Sequence, residues 1–309
     1  MPERPAIALP KLGLGTAPLG GLYSPVDDDQ ARQALVTAFD AGLRLWDTAP
    51  HYGAGLAESR VGDALKLVDR KEIVLSTKVG RLLREGRAES MFVGTPDAHA
   101  EFDFSRRGVR RSVEESCERL GVDHLDLVHI HDPDDHFELA RDESLPELLA
   151  LRDEGVIGAV GVGMNQVEML VRFAEIGAFD CLFVAGRYTL LDQSAARELL
   201  PTCHERGISV LVGGVFNSGI LAEVKDGAYY DYAPAPQAIV ERARQIEEIC
   251  VRHGVPLRAA AIQFPLRHPV VTTVVVGARS ADEVRDAMVM SDWPLPEAMW
   301  DELAAEGVT

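Results

Sequence analysis

The sequence predicts an α/β protein built as a single (β/α)8 TIM barrel. Eight short apolar segments alternate with eight helical patterns along the 309 residues. The apolar segments are rich in β-branched residues and lack strict polar alternation, which is how parallel strands covered by helices read. No low-complexity linker interrupts the series, so residues 1–309 are expected to form one domain. Length alone would allow two, but barrels of this size are often single domains. Eight strand–helix repeats in one domain indicate a closed barrel, and such barrels gather their functional groups at the C-terminal ends of the strands.

Strands are predicted over residues 12–16, 43–47, 73–78, 125–131, 159–163, 181–185, 209–213 and 271–276. Helices are predicted near 30–41, 56–67, 108–120, 144–153, 166–176, 194–206, 236–253 and 281–290. Asp27, Asp28 and Asp29 precede the first helix, where carboxylates suit the positive end of its dipole. Gly42, Gly121, Gly155, Gly177 and Gly207 follow helices, where glycine takes the left-handed closing conformation. One stretch breaks the rhythm: residues 80–107 separate the third strand from its helix by far more than the usual few residues. It carries Met91, Phe92, Phe102 and Phe104 among glycines and charges, and this aromatic content predicts a folded lid over a substrate.

Composition narrows the function classes. The net charge of −18 disfavours nucleic acid and anionic membrane surfaces as partners, since both reward basic patches. No uninterrupted apolar run approaches the ~20 residues that span a bilayer. The start, Met1-Pro2-Glu3-Arg4-Pro5, has no apolar signal core, so a soluble cytoplasmic protein acting on a small molecule is expected. Cys117, Cys181, Cys203 and Cys250 are widely spaced without a Cys-x-x-Cys pair and read as reduced, buried thiols.

Four residues fall where a barrel places its chemistry. Asp47 ends the second strand and opens Asp47-Thr48-Ala49-Pro50-His51-Tyr52; Lys78 ends the third strand, and His131 ends the fourth. Together they are the parts of a proton-transfer site built around tyrosine. A free tyrosine has a pKa of about 10, too high for easy deprotonation at neutral pH. A nearby ammonium favours the phenolate, a carboxylate holds that ammonium charged, and an imidazole orients the reacting oxygen.

The ordered set Asp-Thr-Ala-x-x-Tyr, a strand ending in lysine, and Asp126-Leu127-x-x-x-His131 resembles the aldo-keto reductase superfamily, from about Gly13 to Ala287. Three stretches narrow the resemblance: Val128-His129-Ile130-His131-Asp132-Pro133-Asp134-Asp135-His136, Gly161-Val162-Gly163-Met164-Asn165-Gln166 and Gly214-Val215-Phe216-Asn217-Ser218-Gly219-Ile220-Leu221. They look like the bacterial dehydrogenases of L-fucose and related D-threo-aldoses, with L-galactose and pyridoxal 4-dehydrogenases as relatives. The resemblance implies Tyr52 as acid/base, Lys78 as the group that tunes it, Asp47 as the partner of Lys78, and His131 as the holder of the substrate oxygen. It implies a nicotinamide cofactor that takes a hydride from the same carbon. A non-catalytic barrel that senses a bound dinucleotide is the rival from another class, and the intact set of four speaks against it.

The resemblance also assigns cofactor contacts to Thr16, Asn165, Gly214, Phe216, Asn217, Ser218, Gly219, Gly277, Arg279 and Glu283. Here the chain departs from the broader family pattern. Gly161-Val162-Gly163-Met164-Asn165 stands where Gly-Val-Ser-Asn is common, Ala185 replaces a usual glutamine, and Gly213 aligns with the tyrosine that stacks on nicotinamide. Phe216 or another group would then supply that surface. NADP-dependent relatives usually present lysine and arginine to the 2′-phosphate; this chain keeps Arg279 but has Gly277 and Glu283. A carboxylate repels a phosphate and accepts from a free ribose hydroxyl, so NAD is expected, with NADP the alternative. No Gly-x-Gly-x-x-Gly follows the first strand, so a Rossmann domain is not indicated.

His129 and His131 share one side of their strand and raise the alternative of a metal hydrolase. Such sites need further ligands at later strand ends, where this chain offers Gly163, Ala185, Gly213 and Val276, so no metal is expected. The expected activity is therefore oxidation of an aldose at C1 to the lactone, with L-fucose or a related D-threo-aldose preferred. Asp132, Asp134, Asp135 and His136 form a polar loop beside His131 suited to sugar hydroxyls. Pyridoxal or another aldehyde or alcohol is the alternative substrate.

Overall fold

The computed structural model describes residues 7–86, 88 and 90–308. Eight parallel strands close into a barrel: β1 Leu12–Gly15, β2 Leu45–Asp47, β3 Val74–Val79, β4 Leu125–His131, β5 Ile157–Met164, β6 Cys181–Ala185, β7 Ser209–Gly213 and β8 Val271–Gly277. Each strand pairs with its neighbour in the series, and β8 returns to β1 with Leu14 opposite Val276. The register steps upward around one side. Asp47 lies level with Ser76, Lys78 with His129, and His131 with Gly163. That stagger brings the ends of β2, β3 and β4 to one rim.

Strand alternation divides the core in two. Leu45, Leu127, Ala159, Cys181, Phe183, Leu211 and Val275 fill the barrel, with Ile7 and Leu9 packed against them. Their neighbours along the strands, among them Trp46, Val128, Ile130, Val160, Leu182, Val210 and Val274, point outward into the layer beneath the helices. All four cysteines are free; Cys181, Cys203 and Cys250 are buried and Cys117 is half-buried. Among the described residues no helix is long and apolar enough to cross a membrane.

The longer helices are α1 Asp28–Asp40, α2 Leu56–Leu65, α3 Arg106–Leu120, α4 Leu145–Asp153, α5 Val167–Ile176, α6 Leu199–Arg206, α7 Gln237–Arg252, α8 Leu257–Gln263, α9 Ala281–Ser291 and α10 Glu297–Ala305. Asp27 caps α1, accepting from Gln30 N at 2.7 Å, and Gly121, Gly177 and Gly207 close their helices in the left-handed conformation. The helix expected over 194–206 is broken at Glu198, because Pro201 has no N–H to give the preceding turn. The helix covering β8 is the short α8, rather than the amphipathic α7, which packs outside it against α8 and α10. The segment after β3 contains an antiparallel hairpin, Arg81–Glu85 paired with Ala98–Phe102.

Candidate active site

The loop after β2 presents Tyr52 through close backbone contacts. Tyr52 N bonds to Ala49 O at 3.0 Å, and Ala57 N at the start of α2 bonds to Tyr52 O at 3.1 Å. The β1 loop lies directly on this turn. A Cβ at Gly20 would stand 2.7 Å from the Tyr52 carbonyl carbon, so only glycine allows the approach. Arg60 of α2 straps that loop in place, donating to Val26 O at 2.6 Å and pairing with Asp28 at 2.7 Å.

Beneath Tyr52 lies a buried charge pair. Lys78 Nζ donates to Asp47 Oδ2 at 2.6 Å and to Thr48 O at 2.9 Å. Ser76 Oγ donates to Asp47 Oδ1 at 2.8 Å, satisfying the second carboxylate oxygen. Lys78 Nζ stands 4.7 Å from the centre of the Tyr52 ring, and the His131 ring meets that ring edge-on at 5.9 Å. Burial raises the Tyr52 pKa above its ordinary value, and the Lys78 cation offsets part of the rise. Burial alone would lower Lys78, but Asp47 and Tyr52 outweigh it and the net shift is upward. Burial, aided by Arg81 and Lys78, holds His131 well below its usual range, so it is neutral at neutral pH.

His129 lies one layer deeper, with its ring edge-on to Phe183 at 5.8 Å and neither ring nitrogen hydrogen-bonded. Gly161 leaves the space it fills. It is a packed neighbour. Among the described residues no three His, Cys, Asp or Glu side chains gather in a way that could hold a metal.

Tyr52, Lys78 and His131 open into a cavity of about 410 Å3, within the range of small-molecule sites. Asp132, Asp134, Asp135, His136, Asn165 and Gln166 line it together with Met91, Phe92 and Phe102 of the lid. Phe92 packs near Tyr52 and His51, at 6.1 and 5.4 Å, and its backbone bridges to Leu22. Phe104 plays a different part from the other lid aromatics. It is 1% exposed, its ring occupies the space beside Gly80, and its carbonyl accepts from Ser144 Oγ at 2.6 Å. It anchors the hairpin base in the core.

A second hollow, of about 520 Å3, shares Leu22 with the first and is lined by Gly214, Phe216, Asn217, Ser218, Gly219, Gly277, Arg279 and Glu283. Of the remaining residues assigned to the cofactor, Asn165 lies in the first cavity. Thr16 is fully buried behind Asp47, donating to its carbonyl through Oγ1 at 3.0 Å. Three features suit the hollow to a dinucleotide. Buried Asn217 Oδ1 has no partner, a Cβ on Gly277 would press on Pro18 Cγ at 3.0 Å, and the floor at Val275, Val276 and Ala287 is apolar. At its far end Arg279 is taken by Glu283, at 3.2 Å, and Arg258 by Asp286, at 2.8 Å. Glu283 also accepts from Arg279 N, at 2.9 Å, while Ser280 caps α9.

Several lining residues escape sequence reasoning. His51, inside the motif itself, stands between Phe92 and His131, and burial and Arg81 lower its pKa to about 4. Arg81 follows the end of β3 closely, a position that could have flagged it. Phe183 points inward by strand alternation and lines the cavity at 8% exposure. A Cβ at Gly213 would reach to 2.5 Å of its ring, so Phe183 fills the space that Gly213 leaves. Tyr232 has no sequence signal. It arrives through a tight turn with Asp231 and Tyr232 both left-handed, tied down by Arg187–Asp231 at 2.8 Å.

Comparison with known proteins gives the family of the chain. Residues 11–306 match the model of the aldo/keto reductase family. D-threo-aldose 1-dehydrogenase of Pseudomonas sp is 43% identical over 96% of this chain and 94% of that protein. Pyridoxal 4-dehydrogenase of Microbacterium luteolum is 38% identical over 99% of this chain and 96% of its own length. Among solved structures, the holo form of aldo-keto reductase AKR11C1 from Bacillus halodurans superposes with a TM-score of 0.76 at 27% identity, covering 96% and 91% of the two chains. With its barrel closed and its family model matched almost end to end, this chain is an oxidoreductase of the aldo/keto reductase family.

Proposed function

We propose that the protein oxidises the anomeric carbon of an aldose to the lactone with NAD, preferring L-fucose or a related D-threo-aldose. The observation that carries this reading is the Tyr52 phenol set over the buried Lys78–Asp47 pair, lining a cavity that adjoins a hollow suited to a dinucleotide. Aromatic faces from Phe92 and Phe102, in the same cavity as the carboxylates of Asp132, Asp134 and Asp135, suit a sugar's two kinds of surface. The 43% identity to a D-threo-aldose 1-dehydrogenase supports the same substrate class.

In this mechanism Tyr52 accepts the proton of the C1 hydroxyl as the C1–O bond becomes a carbonyl. A bound nicotinamide supplies the acceptor for the hydride leaving C1. Lys78 lowers the cost of the phenolate, and Asp47, Thr48 and Ser76 hold Lys78 in one place. Neutral His131 holds the substrate oxygen through a ring N–H. Thr16 acts from behind, fixing the Asp47 backbone. Asn165 meets the ligand from the cavity side, while Gly214, Phe216, Asn217, Ser218, Gly219 and Gly277 receive the cofactor in the hollow. NAD is favoured because the guanidiniums of Arg279 and Arg258 are each neutralised by a carboxylate, with Asp282 close by.

Pyridoxal is the second reading, favoured by the aromatic lid and by the 38% identity to a pyridoxal 4-dehydrogenase. Reduction of NAD measured across L-fucose, other aldoses, pyridoxal and simple alcohols separates the two. The highest kcat/KM is expected on an aldose. Activity on pyridoxal with none on any aldose would overturn the proposal.

A further inference from the structure

Arg81 and Asp132 enter the cavity from different elements and meet there. Arg81 opens the lid hairpin, and Asp132 follows His131 at the end of β4. Arg81 Nη2 donates to Asp132 Oδ2 at 2.5 Å, and the guanidinium lies 4.4 Å from the centre of the Phe102 ring. Asp132 has φ +46°, a conformation costly for a residue other than glycine, and its N–H is tied to Gly163 O at 3.0 Å. That bend turns the carboxylate back on the site, with Oδ2 3.5 Å from His131 Nε2. Buried Arg81 Nε has no hydrogen-bond partner in the protein.

The hairpin has anchors besides this pair. Phe104 is sunk in the core, Asp103 N bonds to Gly80 O at 2.9 Å, and the hairpin carries its own strand pairing. A carboxylate carried on a left-handed backbone and an incompletely used guanidinium, both lining the cavity beside His131, are groups arranged for a ligand.

We propose that Arg81 and Asp132 form the subsite that reads the hydroxyl on the carbon next to the reacting one, C2 of an aldose. This rests on the aldose reading above. Adjacent hydroxyls of a sugar lie about a hydrogen-bond length apart. An oxygen held between Tyr52 and His131 therefore sets its neighbour beside Asp132. Asp132 accepts that hydroxyl's proton in a hydrogen bond while Arg81 donates to the same oxygen, and both bonds are charge-assisted. Because the pair is fixed on one side of the cavity, it reads configuration as well as presence. A substrate lacking the hydroxyl leaves both charged groups facing a gap, the situation in which polar sites discriminate most strongly.

The test is the ratio of kcat/KM for the best aldose and its 2-deoxy counterpart, measured with NAD in the wild type, Asp132→Asn and Arg81→Met. The wild type is expected to prefer the hydroxylated sugar by about a hundredfold, and the variants by less than about tenfold, mostly through loss on the hydroxylated sugar. Unchanged NAD affinity and a loss of rate on the 2-deoxy sugar much smaller than the loss on the hydroxylated one would support the subsite. Equal losses on both sugars would show that the pair only anchors the lid and would overturn it, as would a wild type indifferent to the C2 hydroxyl. A wild type that oxidises no aldose would fell the aldose reading and the subsite together, a result distinct from the other two. If Asp132→Asn fails to fold, Arg81→Lys, which keeps the charge and loses the planar fork, carries the same ratio test.

Discussion

Two ion-paired regions border adjoining hollows, and they are built on opposite terms. Asp47 and Lys78 are each 2% exposed and paired at 2.6 Å, with the remaining carboxylate oxygen bound by Ser76. The Arg279–Glu283 and Arg258–Asp286 pairs at the nucleotide end leave about two-fifths of each side chain in solvent. Removing one partner of a buried pair strands a charge and costs about 3–5 kcal/mol, whereas an exposed pair contributes about 0–1 kcal/mol. The difference teaches where change is tolerated. The proposed proton transfer depends on groups that cannot be altered singly, and the proposed cofactor preference on groups that can.

The largest effect should fall on the buried side. Tyr52→Phe removes only the phenolic oxygen, so turnover should drop by about a hundred- to ten-thousand-fold while NAD affinity changes little. Steady-state rates beside a cofactor titration check this, and near-wild-type turnover would remove Tyr52 from its role. Next come the two kinds of lid aromatic. Phe104→Ala should cost about 3–5 kcal/mol of stability in denaturant titration, because it empties a core position, and should leave substrate ratios alone. Phe92→Ala should change the ratio of kcat/KM between L-fucose and a second aldose with little loss of stability. Reversed outcomes would exchange anchor and lid.

A smaller lever on the buried side is pH. Burial holds the Tyr52 phenol above its ordinary range despite Lys78, and oxidation draws on the deprotonated form. The deprotonated fraction rises with pH below the pKa, so oxidative kcat/KM should climb about tenfold per unit between pH 7 and 9. A plateau already reached at pH 7 would mean a far stronger effect of Lys78 on the phenol. The smallest change is expected at the exposed end. Glu283→Arg frees Arg279 and adds a cation, which should shift relative affinity towards NADP by about tenfold, less at high salt. Equal NAD and NADP affinities in the wild type would contradict the electrostatic argument.

The strands were the most legible part of the fold. Each is a short apolar run buried on both faces, and the expected bounds differ from those observed by two residues or fewer. The ends of β2, β3 and β4 follow, which is why Asp47, Lys78 and His131 could be set on one rim. What remained hidden depends on tertiary packing. The strength of the pattern over Gln237–Arg252 gives no sign that this helix packs outside Leu257–Gln263, a short alanine-rich segment. The aromatics of the lid are visible in the sequence, but only the fold separates Phe92, at the cavity, from Phe104, in the core. Arg81 and Tyr232 reach the site through a hairpin and a left-handed turn whose placement no local spacing encodes.

Gly213 and Phe183 belong to adjacent strands but draw on one volume inside the barrel. Any side chain at Gly213 must displace the Phe183 ring, and any smaller residue at position 183 leaves a void beside Lys78, whose Nζ is 5.5 Å from that ring. The two positions are therefore epistatic. Gly213→Ala and Phe183→Leu should each be more harmful alone than in combination, and a double-mutant cycle measures the coupling directly. A route that moved an aromatic ring from one strand to the other by single substitutions is therefore expected to pass through a less stable intermediate at either first step.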